Sequence, residues 1–259
     1  MLTIRVVKIG GNELDRPDWV AAAARALSKN GPTVVVHGGG RAVSDWSRRL
    51  GLPVEKKDGL RVTTPEIAQV VEMVLGGPIN RLIVTALREA GLDALGLSGV
   101  DGGLLTAQPL QNGTGLGAVG EIAHVRGSLL QSLLLAGLTP VVAPVAPSEA
   151  DGQPLNVNAD QAAAAVAAAL EAEELLFISD VPGVTGAGVT QPTLAAAEIE
   201  TMIEGGVATG GMAAKLRAAA QALRAGVRAV RIGNLDMLEH ATAGTRLLAA
   251  PPTPAVQTA

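Results

Sequence analysis

The chain has no cysteine and no tyrosine, and only one phenylalanine and two tryptophans among its 259 residues. Without cysteine there is no thiol catalysis, no disulfide and no thiolate metal site, and the redox compartment goes unmarked. Without aromatic platforms, single-stranded nucleic acid has little to stack on. An excess of basic residues is also missing. Twenty Lys and Arg face 24 Asp and Glu, giving a net charge of −4 and a pI near 5.4, so no nucleic-acid partner is expected. The three histidines, His37, His124 and His240, are scattered and suggest no protein-held metal. There is no GxxxxGK[ST] loop. The most apolar stretch, 129–146, is broken by Gly137, Pro140 and Pro144. It reads as a helix and a buried strand, not a membrane span. No secretory pattern precedes Thr3, so a soluble cytoplasmic protein is expected.

What the chain does have is aliphatic residues, with 48% of it hydrophobic. Its core must rest on Leu, Val, Ile and Ala. Strand-like runs at 3–9, 33–37, 94–98, 139–143, 174–179 and 227–232 alternate with helix-like runs. The helices are expected at 17–29, 41–50, 64–90, 127–137, 159–171, 194–204, 211–225 and 235–242. Such alternation predicts an α/β fold with a mainly parallel sheet covered on both faces. Val34-Val35-Val36, apolar on both sides, suits a doubly covered strand. Gly76-Gly77-Pro78 should bend or break the 64–90 helix. Residues 112–126 read as a hairpin, and 251–259, rich in Pro, Thr and Ala, as a disordered tail. A change of lobe is expected near 170–174.

Glycine turns carry the functional signal. Lys8 ends the first strand and runs into Gly10-Gly11, and a second strand ends in His37-Gly38-Gly39-Gly40. Glycines let a ligand approach the backbone, and the following helix aims its N–H groups at it. A lysine there suits phosphate, although a plain tight turn with a surface lysine is the bland alternative. His37 reads as a structural hydrogen-bonding residue. Asn156-Val157-Asn158-Ala159-Asp160 precedes an alanine-rich helix. One cap would suffice there, so the cluster suggests a further polar role. Asp180-Val181-Pro182-Gly183-Val184 follows another strand, and Gly210-Gly211 stands just before Lys215. A lysine in a first helical turn is poorly placed against the macrodipole unless an anion lies nearby. Lys56-Lys57-Asp58-Gly59-Leu60-Arg61-Val62-Thr63 is a small basic turn, either a solvated hairpin tip or one in which Arg61 clamps a carboxylate. Gly115–Gly120 matches GxGxxG formally, but it lacks the strand before and the helix after that a dinucleotide turn needs.

These segments, in this order and over nearly the whole chain, resemble the amino acid kinase family. The resemblance implies a three-layer αβα sandwich with two lobes. Residues 1–172 would bind the amino-acid substrate and form the dimer, and 173–250 would bind ATP. It implies phosphorylation, by ATP with Mg²⁺ carried on its phosphates, of the side-chain carboxylate of N-acetyl-L-glutamate, the second step of arginine biosynthesis. Lys8 and Lys215 would flank the transferring phosphoryl group, and Asp160 would hold both. Gly11 and Gly39 would offer backbone N–H groups. Gly39, Gly40, Arg61, Asn156 and Asn158 would bind the acceptor. Lys8, Gly10, Gly11, the run Asp180, Val181, Pro182, Gly183, Val184 and Thr185, the run Val207, Ala208 and Thr209, then Gly211 and Lys215, would line the nucleotide site.

The short neutral loop 186–192 departs from the family pattern and leaves the adenine side open. Kinases of the same fold acting on aspartate, carbamate, uridine monophosphate, glutamate or carrier-linked aminoadipate are the nearest rivals, and a non-catalytic sensor is a rival of another class. Arginine-inhibited hexamers of the family carry an extra helix before the first strand. An unregulated homodimer joined through 64–90 is therefore expected.

Overall fold

In the computed structural model, which describes residues 2–57, 59–110, 115–186 and 188–249, the chain builds one eight-stranded sheet. From edge to edge its strands are Thr193–Ala195, Thr245–Leu248, Ala229–Gly233, Glu174–Ile178, Arg5–Ile9, Thr33–His37, Thr139–Val142 and Ala94–Leu97. The last six run parallel, and the first two run opposite to them. The Arg5–Ile9 strand is central. Sequence-adjacent Thr33–His37 lies on one side of it and the distant Glu174–Ile178 on the other. The order reverses here, and a crevice opens beyond the carboxyl ends of the strands.

Side-chain alternation divides the core in two. Val6, Val34, Val36, Leu175 and Phe177 face the layer that holds the alanine-rich helix Ala159–Ala169 and the helix Gly210–Arg224. Val7, Ile9, Val35, Leu176 and Ile178 face the layer of Pro17–Ser28, Pro65–Val74 and Asn80–Glu89. Alanine is what allows the first layer to pack closely: Ala162, Ala163 and Ala167 are wholly buried. The lone phenylalanine, Phe177, is also fully buried, a gain of about 2–3 kcal/mol over exposure.

The run Pro65–Glu89 is long and apolar enough to cross a membrane by length and composition alone. Its Ile67, Val71, Ile83 and Leu87 are buried in the second core layer, so it packs as two core helices. Between them Leu75–Ile79 is a π-type segment around Gly76-Gly77-Pro78, where Gly77 leaves helical geometry. The expected break lies there.

A smaller sheet, in the order Leu105–Pro109, Val119–Val125, Pro154–Val157, Val145–Pro147, stands beside the main one. Its first two strands form an antiparallel hairpin, but only the second falls in the 112–126 stretch expected to hold one, the first lying earlier at Leu105–Pro109. After Gly115 and Gly117 comes a strand and not a helix, so the GxGxxG match is no dinucleotide turn. The expected tail lies outside the described residues.

Two helix expectations need correction. Thr193–Ala195 is an edge strand paired with Thr245–Leu248, and only Ile199–Glu204 is α-helical in that region. Edge pairing overrides the helix propensity of its alanines. The expected helix 235–242 is a 3₁₀ turn at Leu235–Leu238. Buried Arg231 draws the chain round it, donating to the carbonyls of Met237, His240, Ala241 and Ala243 while pairing with Glu174 at 2.7 Å.

Candidate active site

Alternation along the first strand aims Lys8 at the same face as Val6, the face covered by the alanine-rich helix. Asn158 caps that helix, its side-chain oxygen accepting from the backbone N–H groups of Asp160 and Gln161. Asp160 therefore falls in the first turn and meets Lys8. Their charged atoms lie 2.7 Å apart, with the side chains 6% and 8% exposed. The contact is a close ion pair whose alignment falls short of a hydrogen bond.

The two glycine turns touch backbone to backbone. A methyl group on Gly11 would stand 2.6 Å from the Gly39 nitrogen and 2.9 Å from its Cα. Gly39 itself has a φ of 157°, and a side chain there would run into Leu75. Both positions need glycine. Gly39 is also the N-cap of the helix Gly40–Arg49, so that helix's free N–H groups face the same space.

Behind the turn, His37 is wholly buried. Its Nδ1 lies 2.9 Å from the Gly38 carbonyl, and its Nε2 lies 3.2 Å from the amide nitrogen of Asn80. The Asn80 amide also donates to the Val141 carbonyl. In that arrangement Nε2 accepts and Nδ1 donates, so the ring is neutral. Burial lowers its pKa to about 4, the Gly38 contact opposing and nearby Lys8 adding to the shift. His37 is thus a strut for the glycine turn.

Arg61 comes from the short hairpin Lys56–Lys57 and Leu60–Arg61. Its Nη2 donates to the Gly40 carbonyl at 2.6 Å and to the Ser44 hydroxyl at 2.7 Å. Its Nη1 is buried with no hydrogen-bond partner among the described residues. Burial, and then the charge of Arg48, lowers its pKa from the ordinary arginine value. Asn156 donates to the Thr63 hydroxyl at 3.1 Å, and Thr63 in turn donates to the Arg61 carbonyl. The two expected acceptor residues therefore share a hydrogen-bonded frame.

A cavity of about 250 Å³ gathers these groups. Lys8, Gly11, Gly39, Gly40, Arg61, Asn156, Asn158 and Asp160 all line it. Its wall thus carries a lysine, an arginine and glycine backbone together. Such a cavity suits a small anionic molecule. It does not reach Asp180–Thr185 or Val207–Thr209, which lie at the end of the Glu174–Ile178 strand and at the N-terminus of the Gly210–Arg224 helix.

In that region Asp180, Val207 and Thr209 are exposed, Ala208 is buried, and Gly183 and Val184 are held inward. The Val184 N–H donates to Thr245 Oγ1. Lys215 links the two regions. Burial and then the charge of Lys8 lower its pKa, while Asp160, Glu13 and Asp180 pull it back. Asp160 does not form an ion pair with Lys215 in this state; among the described residues its ion-pair partner is Lys8.

Sequence reading missed Ser44, Thr63, Asn80 and Glu13. Ser44 lies one helical turn after Gly40, and its hydroxyl also donates to the Gly40 carbonyl. Thr63 stands two residues after Arg61 and Glu13 two after Gly11, so both were near at hand in the sequence, while Asn80 reaches the site only through its tertiary contact with His37.

The model of the amino acid kinase family matches residues 3–234. An acetylglutamate kinase of Chloroflexus aggregans is 48% identical over 250 residues, which is 96% of this chain and 98% of the relative. The smu.665 protein of Streptococcus mutans UA159 has the same fold with a TM-score of 0.83 and 30% identity, covering 95% of this chain and 99% of that one. An N-acetylglutamate synthase of Neisseria gonorrhoeae, solved with coenzyme A and N-acetyl-glutamate, superposes at a TM-score of 0.81 and 25% identity, over 95% of this chain and 59% of that one. Paired glycine turns, a lysine–aspartate pair beneath them and full-length similarity agree: the chain belongs to the amino acid kinase family.

Proposed function

We infer that the protein transfers the γ-phosphoryl group of ATP to the side-chain carboxylate of N-acetyl-L-glutamate, making N-acetyl-L-glutamyl 5-phosphate in arginine biosynthesis. The observation that carries this reading is the one cavity wall that holds both Lys8 and Arg61, whose Nη1 has no hydrogen-bond partner among the described residues. Arg61 would take the α-carboxylate, and Asn156 and Asn158 the neighbouring polar groups. The side-chain carboxylate would then lie toward Lys8, Gly11 and Gly39. Full-length similarity to acetylglutamate kinases supports the same acceptor.

The nucleophile is a carboxylate, already ionised near pH 7, so no general base is needed. His37, buried and neutral, fits that absence. What remains is positioning and neutralisation of phosphoryl charge, the main requirement of phosphoryl transfer. Lys8, Lys215 and the N–H groups of Gly11 and Gly39 would supply it. Asp180–Thr185, Val207–Thr209, Gly10 and Gly211 would hold the nucleotide. Among the described residues no cluster of three or more His, Asp or Glu offers a metal site. Mg²⁺ therefore fits this chain as an ion carried on phosphate oxygens and water, where it neutralises phosphate charge.

We take residues 1–172 as the acceptor lobe and 173–250 as the nucleotide lobe of a cytoplasmic homodimer. Exposed Met73 and Leu82 on the 64–90 helices support that contact. Light scattering at a dimer mass supports it further, and a monomer or hexamer refutes it. The activity is tested by trapping acyl phosphate with hydroxylamine in the presence of ATP. Acceptors would be N-acetylglutamate, glutamate, aspartate, carbamate and a carrier-linked aminoadipate, with uridine monophosphate followed by ADP release, since its product is no acyl phosphate. Hydroxamate formation with N-acetylglutamate is expected, and none with that acceptor would sink the reading.

A further inference from the structure

Arg61 is held at both ends of its side chain. At the backbone, it pairs with Lys56 in the short hairpin, and the Thr63 hydroxyl donates to its carbonyl at 2.9 Å. At the guanidinium, Nη2 donates to the Gly40 carbonyl at 2.6 Å and to Ser44 Oγ at 2.7 Å. The Ser44 hydroxyl donates in turn to the same Gly40 carbonyl at 2.9 Å. The three groups close a triangle of hydrogen bonds. Gly40 and Arg61 line the cavity and Ser44 does not, so the serine braces the guanidinium from outside the cavity wall. Ser44 and Arg61 are each 8% exposed, which leaves little water to loosen the triangle. A helical serine often bonds back to the carbonyl one turn earlier, as Ser47 does to Val43. What sets Ser44 apart is the guanidinium it also receives.

Nη2 carries two hydrogens, and the triangle engages both. Nη1 has no hydrogen-bond partner among the described residues, so its two hydrogens are left for a ligand. No ion pair among the described residues includes Arg61 either. A buried cation without a carboxylate calls for an anionic ligand. Held by Gly40 alone, the planar group would turn about that one bond. The Ser44 bond fixes its plane and with it the direction of Nη1, and recognition of a carboxylate by a guanidinium depends on that plane. We propose that Ser44 is the positioning residue of Arg61, fixing the guanidinium so that Nη1 meets the acceptor's α-carboxylate, and thereby setting the preference for an anionic over a neutral group there. The inference rests on the proposed reading of the acceptor, in which Arg61 takes that carboxylate.

Two measurements test it, one independent of substrate. In ¹⁵N-labelled protein, Arg61→Lys assigns the Arg61 side-chain signals. Rotation of the guanidinium about the Nε–Cζ bond should be slow in the native chain, giving separate Nη1 and Nη2 signals. It should be faster in Ser44→Ala and slow again in Ser44→Thr, which keeps the hydroxyl. In turnover, Ser44→Ala should raise the KM for N-acetylglutamate roughly tenfold, the low end of what one hydrogen bond to a charged group contributes. The KM for ATP and kcat should stay within about twofold, since the phosphoryl end is untouched. The ratio of kcat/KM for N-acetylglutamate to that for its α-amide should fall by about the same tenfold, because a loosened guanidinium discriminates less between carboxylate and amide. Ser44→Thr should restore most of both. In an Arg61→Ala background, Ser44→Ala should have no further effect.

An unchanged rotation rate in Ser44→Ala overturns the proposal, as does a Ser44→Ala effect that persists without Arg61. Equal rises in both KM values with an unchanged preference over the α-amide also overturn it, and leave Ser44 a residue of the fold alone. If the native protein turns over no N-acetylglutamate, the acceptor reading fails, and the guanidinium rotation still decides whether Ser44 holds Arg61.

Discussion

Lys8 and Asp160 meet at 2.7 Å with both side chains more than nine-tenths buried. Neither charge has water to fall back on. Removing one partner of a buried pair typically costs about 3–5 kcal/mol, because the other is left uncompensated. Asp160→Asn is therefore expected to lose stability of that order by urea unfolding. Lys8→Ala should lower kcat by about 10²–10³ with little change in KM, the loss expected for one electrostatic donor. The double variant Lys8→Met with Asp160→Leu should regain much of the stability and none of the turnover. Recovery of turnover would mean that the pair serves the fold alone.

Arg61 predicts the complementary pattern. Its Nη2 is tied to Gly40 and Ser44, while Nη1 awaits an acceptor. A hydrogen bond to a charged group contributes about 1.5–3 kcal/mol. Arg61→Ala should thus raise the KM for the carboxylate acceptor roughly 10- to 100-fold and leave the KM for ATP nearly unchanged. Steady-state kinetics with each substrate varied in turn decides it. A fall in kcat at constant KM would mean that the roles of Lys8 and Arg61 are exchanged.

What the sequence made legible here was local. Strand followed by glycine followed by helix is written in consecutive residues, so Lys8, Gly11 and Gly39 could be singled out from the sequence, as Asp160 could from its polar cluster, and all four line one cavity. The six parallel strands were visible as apolar runs for the same reason. The edge strand Thr193–Ala195 was not, because its pairing with Thr245–Leu248 joins segments some fifty residues apart. The 3₁₀ turn after Asn234 was hidden likewise, being shaped by the side chain of Arg231. Glu13 carried no signal in the sequence. Only its burial, and an Oε2 without a hydrogen-bond partner among the described residues, set it apart, and neither can be read along a chain.

His37 gives a pH prediction with a definite sign. Its folded-state pKa is depressed to about 4 from an ordinary 6.5. Between those values the unfolded chain binds a proton that the folded one refuses, so stability falls as pH drops from 6.5 toward 4. The full difference is on the order of 3 kcal/mol. Urea unfolding at pH 7, 6 and 5 should show the decline beginning. In His37→Asn the slope over that interval should flatten. Glu66, Asp151 and Glu239, whose carboxyls are held low, add their own decline toward the acid end of the interval, but they are the same in both chains and cancel in the comparison with His37→Asn. An unchanged slope in the variant would assign the decline to other groups.

The contact between the glycine turns predicts a variant that folds and fails. A methyl group on Gly11 would meet the backbone of Gly39, which cannot swing aside as a side chain can. The turns must part by several tenths of an ångström, and each N–H loses its aim. Gly11→Ala is expected to lower kcat by about 10²-fold, the usual consequence of misplacement near 1 Å. Its secondary structure, followed by circular dichroism, should stay native. Gly31→Ala is a useful control, since it lies away from the cavity, its added methyl would meet nothing within 4 Å and its φ is not in the left-handed region.

The nucleotide side has its own test in Thr245. That residue is fully buried, and its hydroxyl accepts from the Val184 N–H at 2.8 Å and donates to the Gln191 carbonyl at 2.6 Å. One side chain therefore ties both ends of the 184–191 segment to the reversed strand of the sheet. Thr245→Val keeps the shape and removes the hydroxyl, leaving a buried N–H and a carbonyl unpartnered at a cost of about 1–3 kcal/mol each. The segment can recover water only by moving outward, away from the position that would meet ATP. The KM for ATP should rise severalfold while that for the acceptor, held by the Arg61 frame, stays within twofold. Equal rises in both would show that the segment shapes the whole cleft, and no rise in either would remove 184–191 from the nucleotide site.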